Sequence, residues 1–202
     1  MSADAVNNSK RRFLVASTSV VGAIGTGFVA VPFVKSWNPS AKALAAGAPV
    51  LVDISKLEEG QMIVVEWRGK PVYVLKRTDE NMKVLETDTD MLADVNSDAS
   101  KQPEYCKNIG RSYDKHSKTV VMEGVCTHLG CAPKYLPDLN NPFAGSLGND
   151  WKGGFFCPCH GSFYDLSGRV YKSMPAPTNL PVPIHKYESD TVIMIGQDGS
   201  NA

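Results

Sequence analysis

Four of the chain's five cysteines and two of its four histidines stand in two short stretches, CTHLGC at 126–131 and CPCHGS at 157–162. Thiols and imidazoles ligate metals, form disulfides and act as nucleophiles, so zinc, a pair of disulfides, a reactive thiol and an iron-sulfur cluster are all candidates. The loops read C-x-H-x-x-C and C-x-C-H, and their symmetric part is one Cys and one His each: Cys126 with His128, Cys157 with His160. Zinc would use those four residues and leave Cys131 and Cys159 unexplained, and zinc-finger ligands usually come as like pairs. Mixed loops suit two metals. Loops facing across a binuclear cluster can send both thiolates to one iron and both imidazoles to the other.

The elements that must position these loops are mostly β. VLVDISKLEEGQMIVVEWRGKPVYVLKRT gives β-rich runs at 50–54, 61–67 and 71–76, the last two joined by a turn at Arg68 and Gly69. Further strands are expected at 119–124, 153–157, 169–172, 183–187 and 191–195. Thr78-Asp79-Glu80 marks a helix start, with Met82, Leu85, Leu92 and Val95 as its buried face. Residues 103–118 and 136–152 read as surface insertions, with Cys106 a free thiol and His116 a surface histidine in the first.

The 202 residues carry 21 basic and 21 acidic side chains, so net charge offers no argument for nucleic acid. From Phe13 to Val34 no charge interrupts 22 residues, which as a helix at ~1.5 Å per residue spans a ~30 Å hydrocarbon core. Arg11 and Arg12 precede Phe13 and Leu14 in a pattern resembling the twin-arginine export signal, which moves folded proteins. Lys10, Arg11 and Arg12 precede the span and only Lys35 closely follows it, so the N-terminus is expected in the cytoplasm and the rest outside. A cleaved signal, with an A-x-A site among Ala41, Ala43 and Ala45, is the alternative, but signal cores usually run ~7–15 apolar residues. NPSAKALAAGAP at 38–49 lacks a core-facing stripe and reads as a linker. The expected organisation is a cytoplasmic segment at 1–12, an anchor helix at 13–35, a flexible hinge at 36–49 and a periplasmic domain at 50–202, with the Cys/His loops inside 124–178.

CTHLGC with CPCHGS is similar to the Rieske iron-sulfur subunits of the quinol-oxidising cytochrome bc complex, complex III. The likeness runs through the N-terminal anchor, the WRGKPV hairpin and the MPAP segment at 174–177, where Met174 replaces a frequent Gly. It implies a mainly β fold, a Rieske-type antiparallel β-sandwich with a small cluster-binding subdomain behind one transmembrane helix. It implies one Rieske-type [2Fe-2S] cluster on Cys126, His128, Cys157 and His160, and a Cys131–Cys159 disulfide closing the loops. A closed loop of ~30 residues corresponds to roughly 3 to 4 kcal/mol by chain entropy. Ser162 and Tyr164 match hydroxyls that donate to cluster sulfur and raise the potential. Leu129 is a shielding and docking residue by the same likeness, Gly130 permits the loop's turn, and Pro175 belongs to a stiff proline wall.

The implied activity is quinol:cytochrome c oxidoreduction by an assembled complex, within which this chain carries electrons. His160 is the implied contact for the quinol hydroxyl, taking a proton as the electron passes. Implied partners are cytochrome b, a cytochrome c type haem subunit, ubiquinol and the bacterial inner membrane, in a dimeric complex and a supercomplex with a terminal oxidase. The alternatives are the small Rieske subunit of an arsenite oxidase, a Rieske ferredoxin, which normally lacks the extra cysteine pair, the photosynthetic cytochrome complex, and a structural zinc-binding periplasmic domain.

Overall fold

The computed structural model describes residues 7–87, 89–138, 142–145, 147 and 151–199. Two units divide at Ala45/Ala46. The first is dominated by α1 (Asn8–Ser36), whose N-terminal amides are capped by the Asn7 side chain at 3.2 Å from Lys10 N. The helix begins at Asn8 rather than Phe13, so Arg11 and Arg12 lie within it, exposed. None of its residues is buried, and among the described residues it is the one segment apolar and long enough to cross a membrane. Within the expected linker, α2 (Ala41–Ala46) forms a short helix capped by Ser40.

The second unit holds three antiparallel three-stranded sheets. Strands β1 (Val50–Asp53), β9 (Val192–Ile195) and β8 (His185–Ser189) form one, and β2 (Met62–Trp67), β3 (Lys70–Lys76) and β4 (Thr119–Glu123) a second. The third comprises β5 (Lys134–Leu136), β6 (Gly154–Cys157) and β7 (Ser162–Tyr164). In β3, Val72, Tyr73, Val74 and Leu75 are all buried because its two faces serve two cores. Val72 and Val74 pack with Val121, Ile193 and Ile195, while Tyr73 and Leu75 pack with Met122, Phe155 and the two cysteines Cys126 and Cys157. The period-two alternation of a strand thus ties the scaffold directly to the Cys/His region. Arg68 and Gly69 both take positive φ, 53° and 71°, as a two-residue type I′ hairpin requires.

Helix α3 (Asp79–Thr87) starts where expected, with Thr78 and Asn81 capping each other's backbone N–H at 3.1 and 3.0 Å. Leu85 is buried on it, but the helix ends at Thr87, in a TDTD run of poor helix formers, so Leu92 and Val95 are not part of its face. Leu92 instead joins Trp151, Phe163 and Tyr171 in a separate cluster.

The strand expected at 169–172 is reduced to single bridges, Tyr164 with Val170 and Leu92 with Tyr171. Its backbone is engaged by side chains: the Asp165 carboxylate accepts from Ser167 N, Arg169 N and Arg169 Nε, and Val170 N donates to Asn179 Oδ1. The strand expected from 183 begins at His185, because Pro181 and Pro183 have no N–H to give a ladder.

Residues 103–118 lie largely at the surface, as expected, but are anchored in the core at three positions, Cys106, Arg111 and Ser112. Cys106 and Arg111 are fully buried, and the Tyr105 and Tyr113 hydroxyls both donate to His185 O at 2.7 and 2.8 Å. Cys106 is a free thiol, but His116 is partly covered and stacks on Tyr187 with centroids 3.8 Å apart. Of 136–152, positions 139–141, 146 and 148–150 lie outside the described residues; Leu147 and Trp151 are buried, with Trp151 Nε1 donating to Asp138 O.

His185 is buried beneath the Tyr105 and Tyr113 rings, and burial pushes its pKa down to about 4, against the opposing pull of its hydrogen bond to Pro183 O. The unfolded chain therefore binds a proton here between about pH 6.5 and 4 that the folded chain refuses. The neutral ring's contribution, on the order of 3 kcal/mol, is complete above pH 6.5 and is lost as pH falls to about 4. The expected result is that stability of a His185→Gln chain, followed by denaturant titration, changes less between pH 7 and pH 4.5 than that of the parent. Equal pH dependence in both would contradict it.

Candidate metal centre

Three segments converge on the site. The first follows β4: Cys126 N donates to Cys131 O at 2.7 Å and Gly130 N to Cys126 O at 2.9 Å, closing a tight loop with Gly130 at φ 86°. The second is the β6–β7 hairpin, where Cys157 pairs with Ser162 and Gly161 N returns to Cys157 O. The third is the proline segment, held by Ala176 N donating to Ser162 Oγ at 3.1 Å and Thr127 Oγ1 donating to Thr178 O at 2.6 Å.

Cys126 and Cys157 are both buried and both carry free thiols. Burial pushes the Cys157 thiol up, and the backbone N–H groups of Cys159 and His160 aimed at its sulfur pull the other way. The His128 and His160 rings stand edge to face with centroids 4.6 Å apart. Nδ1 of His128 is buried without a hydrogen-bond partner, which is costly for a nitrogen lone pair unless something binds it. His160 is exposed at the loop tip. Two inner sulfurs and two outer imidazoles, one with an orphaned nitrogen, are a donor set that fits a binuclear iron-sulfur group.

Cys131 and Cys159 are joined as a disulfide, with Cα atoms 6.7 Å apart. The sulfurs of Cys131, Cys157 and Cys159 all lie within 4.8 Å of one another, yet two of them are bonded together, so this trio is no three-thiolate metal site. Replacing both bridge cysteines by Ala is expected to cost about 3 kcal/mol, read as a lower denaturant midpoint, with a slope that does not fall because the unbridged unfolded chain is less compact. An unchanged midpoint would show that the bridge adds nothing.

Tyr164 is fully buried, and its hydroxyl lies 3.2 Å from Cys126 Sγ while accepting from Thr127 N at 3.3 Å. Ser162, also fully buried, accepts from Ala176 N and keeps its own proton to donate. Leu129 is 71% exposed at the tip of the first loop, and Pro175 is exposed beside buried Ala176. Arg11 and Arg12 belong to the N-terminal unit. Sequence reasoning missed Thr127 and Asn179. Thr127 sits between two recognised ligand-type residues, a position that could have flagged it; buried Asn179 binds Asp94 O, Ser97 Oγ and Val170 N at 2.8 Å each, and a polar residue in a loop gave no signal.

The Rieske [2Fe-2S] domain family matches residues 96–187, and the ubiquitinol-cytochrome C reductase Fe-S subunit TAT signal matches residues 1–40. The ubiquinol-cytochrome c reductase iron-sulfur subunit of Allochromatium vinosum is 54% identical over 202 residues, covering 100% of this chain and 95% of that one. This chain belongs to that family. Its Rieske-subunit relatives in Blastochloris viridis and Bradyrhizobium diazoefficiens are 43% and 41% identical, over 96% and 93% of this chain and 97% and 94% of theirs. As a member of the Rieske-subunit family the chain is mainly β, carries a Rieske-type [2Fe-2S] cluster and has an apolar helix suited to membrane anchoring. It is a subunit of an oxidoreductase complex of the cytochrome bc kind, with cytochrome b and a c-type cytochrome as companion subunits.

Proposed function

We propose that the chain takes one electron and one proton from ubiquinol at the quinol oxidation site of that complex. It passes the electron to the cytochrome c type haem subunit and so contributes to proton translocation. Cys126 and Cys157 hold one iron of the cluster, and His128 and His160 hold the other. When bound, the cluster supplies reversible one-electron chemistry at a potential that histidine ligation raises. Ser162 and Tyr164 donate to sulfur and favour the electron-rich state. The exposed His160 ring meets the quinol hydroxyl and holds the departing proton at its outward nitrogen. Leu129 and Pro175 keep water from the buried thiols and present an apolar surface to the partner.

The observation that carries this reading is the pairing of two buried, free thiols with two imidazoles in edge-to-face contact, one of them exposed. The anchor lies in a bacterial inner membrane, with the N-terminus cytoplasmic and the Rieske domain periplasmic, and Arg11 and Arg12 direct export. The complex is a dimer that joins a supercomplex with a terminal oxidase. Residues 1–12, 13–35, 36–49 and 50–202 act as export segment, anchor, hinge and redox domain. The test is ubiquinol-driven cytochrome c reduction in membranes of a strain lacking its own Rieske subunit. This chain should restore it, a Cys126→Ser chain should not, and a stiffening insertion within 42–48 should slow it without altering the cluster's spectrum. No restoration by the parent chain contradicts the function, and full speed with the rigid linker contradicts the hinge.

A further inference from the structure

The disulfide at the site has a free thiol as its neighbour. Cys157 Sγ shares a 4.8 Å sphere with both bridge sulfurs, and it is not itself oxidised. A thiol beside a disulfide exchanges with it by attack of thiolate sulfur on a disulfide sulfur, at a rate set by the attacking thiol's thiolate fraction, by the leaving group and by access. Here access is built in, because the hairpin and the bridge hold the three sulfurs together.

We infer that Cys157 exchanges with the Cys131–Cys159 bridge whenever its sulfur carries no metal. The Cys157 thiolate attacks Cys131 Sγ, forming a Cys131–Cys157 bond. The Cys131–Cys159 bond breaks, and its electron pair leaves on Cys159 Sγ, which takes a proton from water in place of the one Cys157 released. One disulfide replaces another, so no external oxidant or reductant is needed.

Two features select Cys131 as the sulfur attacked. A Cys157–Cys159 bond would close a ring across Pro158 alone, whose φ is fixed, inside a turn already held by Gly161 N to Cys157 O. A Cys131–Cys157 bond joins the two loops much as the existing bridge does. Cys159, moreover, is exposed, so the departing thiolate is released directly into water, whereas Cys131 is partly covered.

The consequence is a competing state of the empty site. Exchange removes one of the two buried thiols, so a chain in the exchanged form cannot take up the cluster until the Cys159 thiolate attacks Cys131 Sγ and restores the original bridge. Metal on Cys157 blocks the attack. That protective half rests on Cys157 being a ligand; the exchange itself rests only on the sulfur geometry.

The test compares the full chain carrying its cluster with the same chain stripped by an iron chelator under nitrogen, without added thiol. N-ethylmaleimide is added at intervals, and disulfide-linked peptides are mapped by mass spectrometry, with fragmentation locating the label. The loaded chain should give only Cys131–Cys159. The stripped chain should convert to Cys131–Cys157 over minutes to hours, with label appearing on Cys159, at a rate independent of protein concentration. Persistence of Cys131–Cys159 with label on Cys126 and Cys157 overturns the inference. So does a mixture that draws in Cys126 or Cys106, or a concentration-dependent rate, since either marks general scrambling.

A Cys126→Ser chain, never loaded, provides a second measurement free of the stripping step. It should accumulate Cys131–Cys157, and adding Cys157→Ser should restore Cys131–Cys159; the native bridge persisting in the single variant again overturns the inference. If a Cys157→Ser chain keeps the cluster's visible absorption, the ligand assignment fails while the exchange measured in the stripped parent stands.

Discussion

A Tyr164→Phe chain keeps its cluster and its fold while the midpoint potential drops by about 40–90 mV, a differential of ~1–2 kcal/mol at 59 mV per tenfold for one electron. The hydroxyl stands 3.2 Å from Cys126 Sγ and accepts from Thr127 N, so its own proton goes to the sulfur or to Thr127 Oγ1 at 3.4 Å, and the variant tests the sulfur. Burial pushes the phenol well above its ordinary pKa, so that proton stays in place. A donor to sulfur is worth more when the sulfur is more electron-rich, so its loss penalises the reduced state more than the oxidised one. Removing one oxygen leaves the ring packed among Phe155, Leu166 and Val170, and Thr127 N loses a partner at a cost of about 1–3 kcal/mol. A redox titration followed by EPR reads the shift directly. An unchanged potential with an intact cluster would show that the hydroxyl serves the Thr127 backbone alone.

Gly154→Ala has the largest expected effect on stability. Gly154 opens β6 at φ 155°, and a Cβ there would collide with the Tyr164 carbonyl and the Asp165 backbone, neither of which is a movable side-chain end. Relief requires β6 and β7 to part, and those strands carry Cys157 at one end and Ser162 and Tyr164 across the ladder. The expected cost exceeds about 4 kcal/mol, seen as loss of folded, cluster-bearing protein on expression. Gly145→Ala is the control, since the nearest atom to its Cβ is Pro142 O at an ordinary 3.5 Å. Equal yields of both variants, with full absorption, would contradict the role assigned to the β6–β7 contact.

The donor set was legible because Cys and His are rare and their spacing is local: Cys126, His128, Cys157 and His160 each lie within a few residues of a partner in sequence. The strands at 62–67, 70–76 and 119–123 were legible from continuous β-branched and aromatic runs, and the Arg68-Gly69 turn from its hairpin chemistry. Strands β5 and β7 were not, since three residues each are too few to show a period, and β7 lies inside the motif itself. The run at 169–172 has strand composition, but the Asp165 carboxylate and Asn179 amide take its hydrogen bonds, a competition invisible in local propensity. PEYCKNIGRSYDKHSK looks polar enough for the surface. Its anchoring to the core depends on Tyr105, Tyr113 and Arg111 finding carbonyls more than fifty positions away, at His185 and Ser167. Long-range side-chain to backbone bonds of this kind leave no pattern in a linear reading.

In the function proposed above, two thiols and two imidazoles of this chain hold a high-potential cluster that meets quinol. Low-temperature EPR on membranes containing the full chain, reduced with ascorbate, tests it most directly. A rhombic signal with the low average g of histidine-ligated clusters is the predicted result, shifting when a quinol-site inhibitor is added. A signal that appears only under dithionite would contradict the high potential and the quinol partner, and silence under both reductants would contradict the cluster itself.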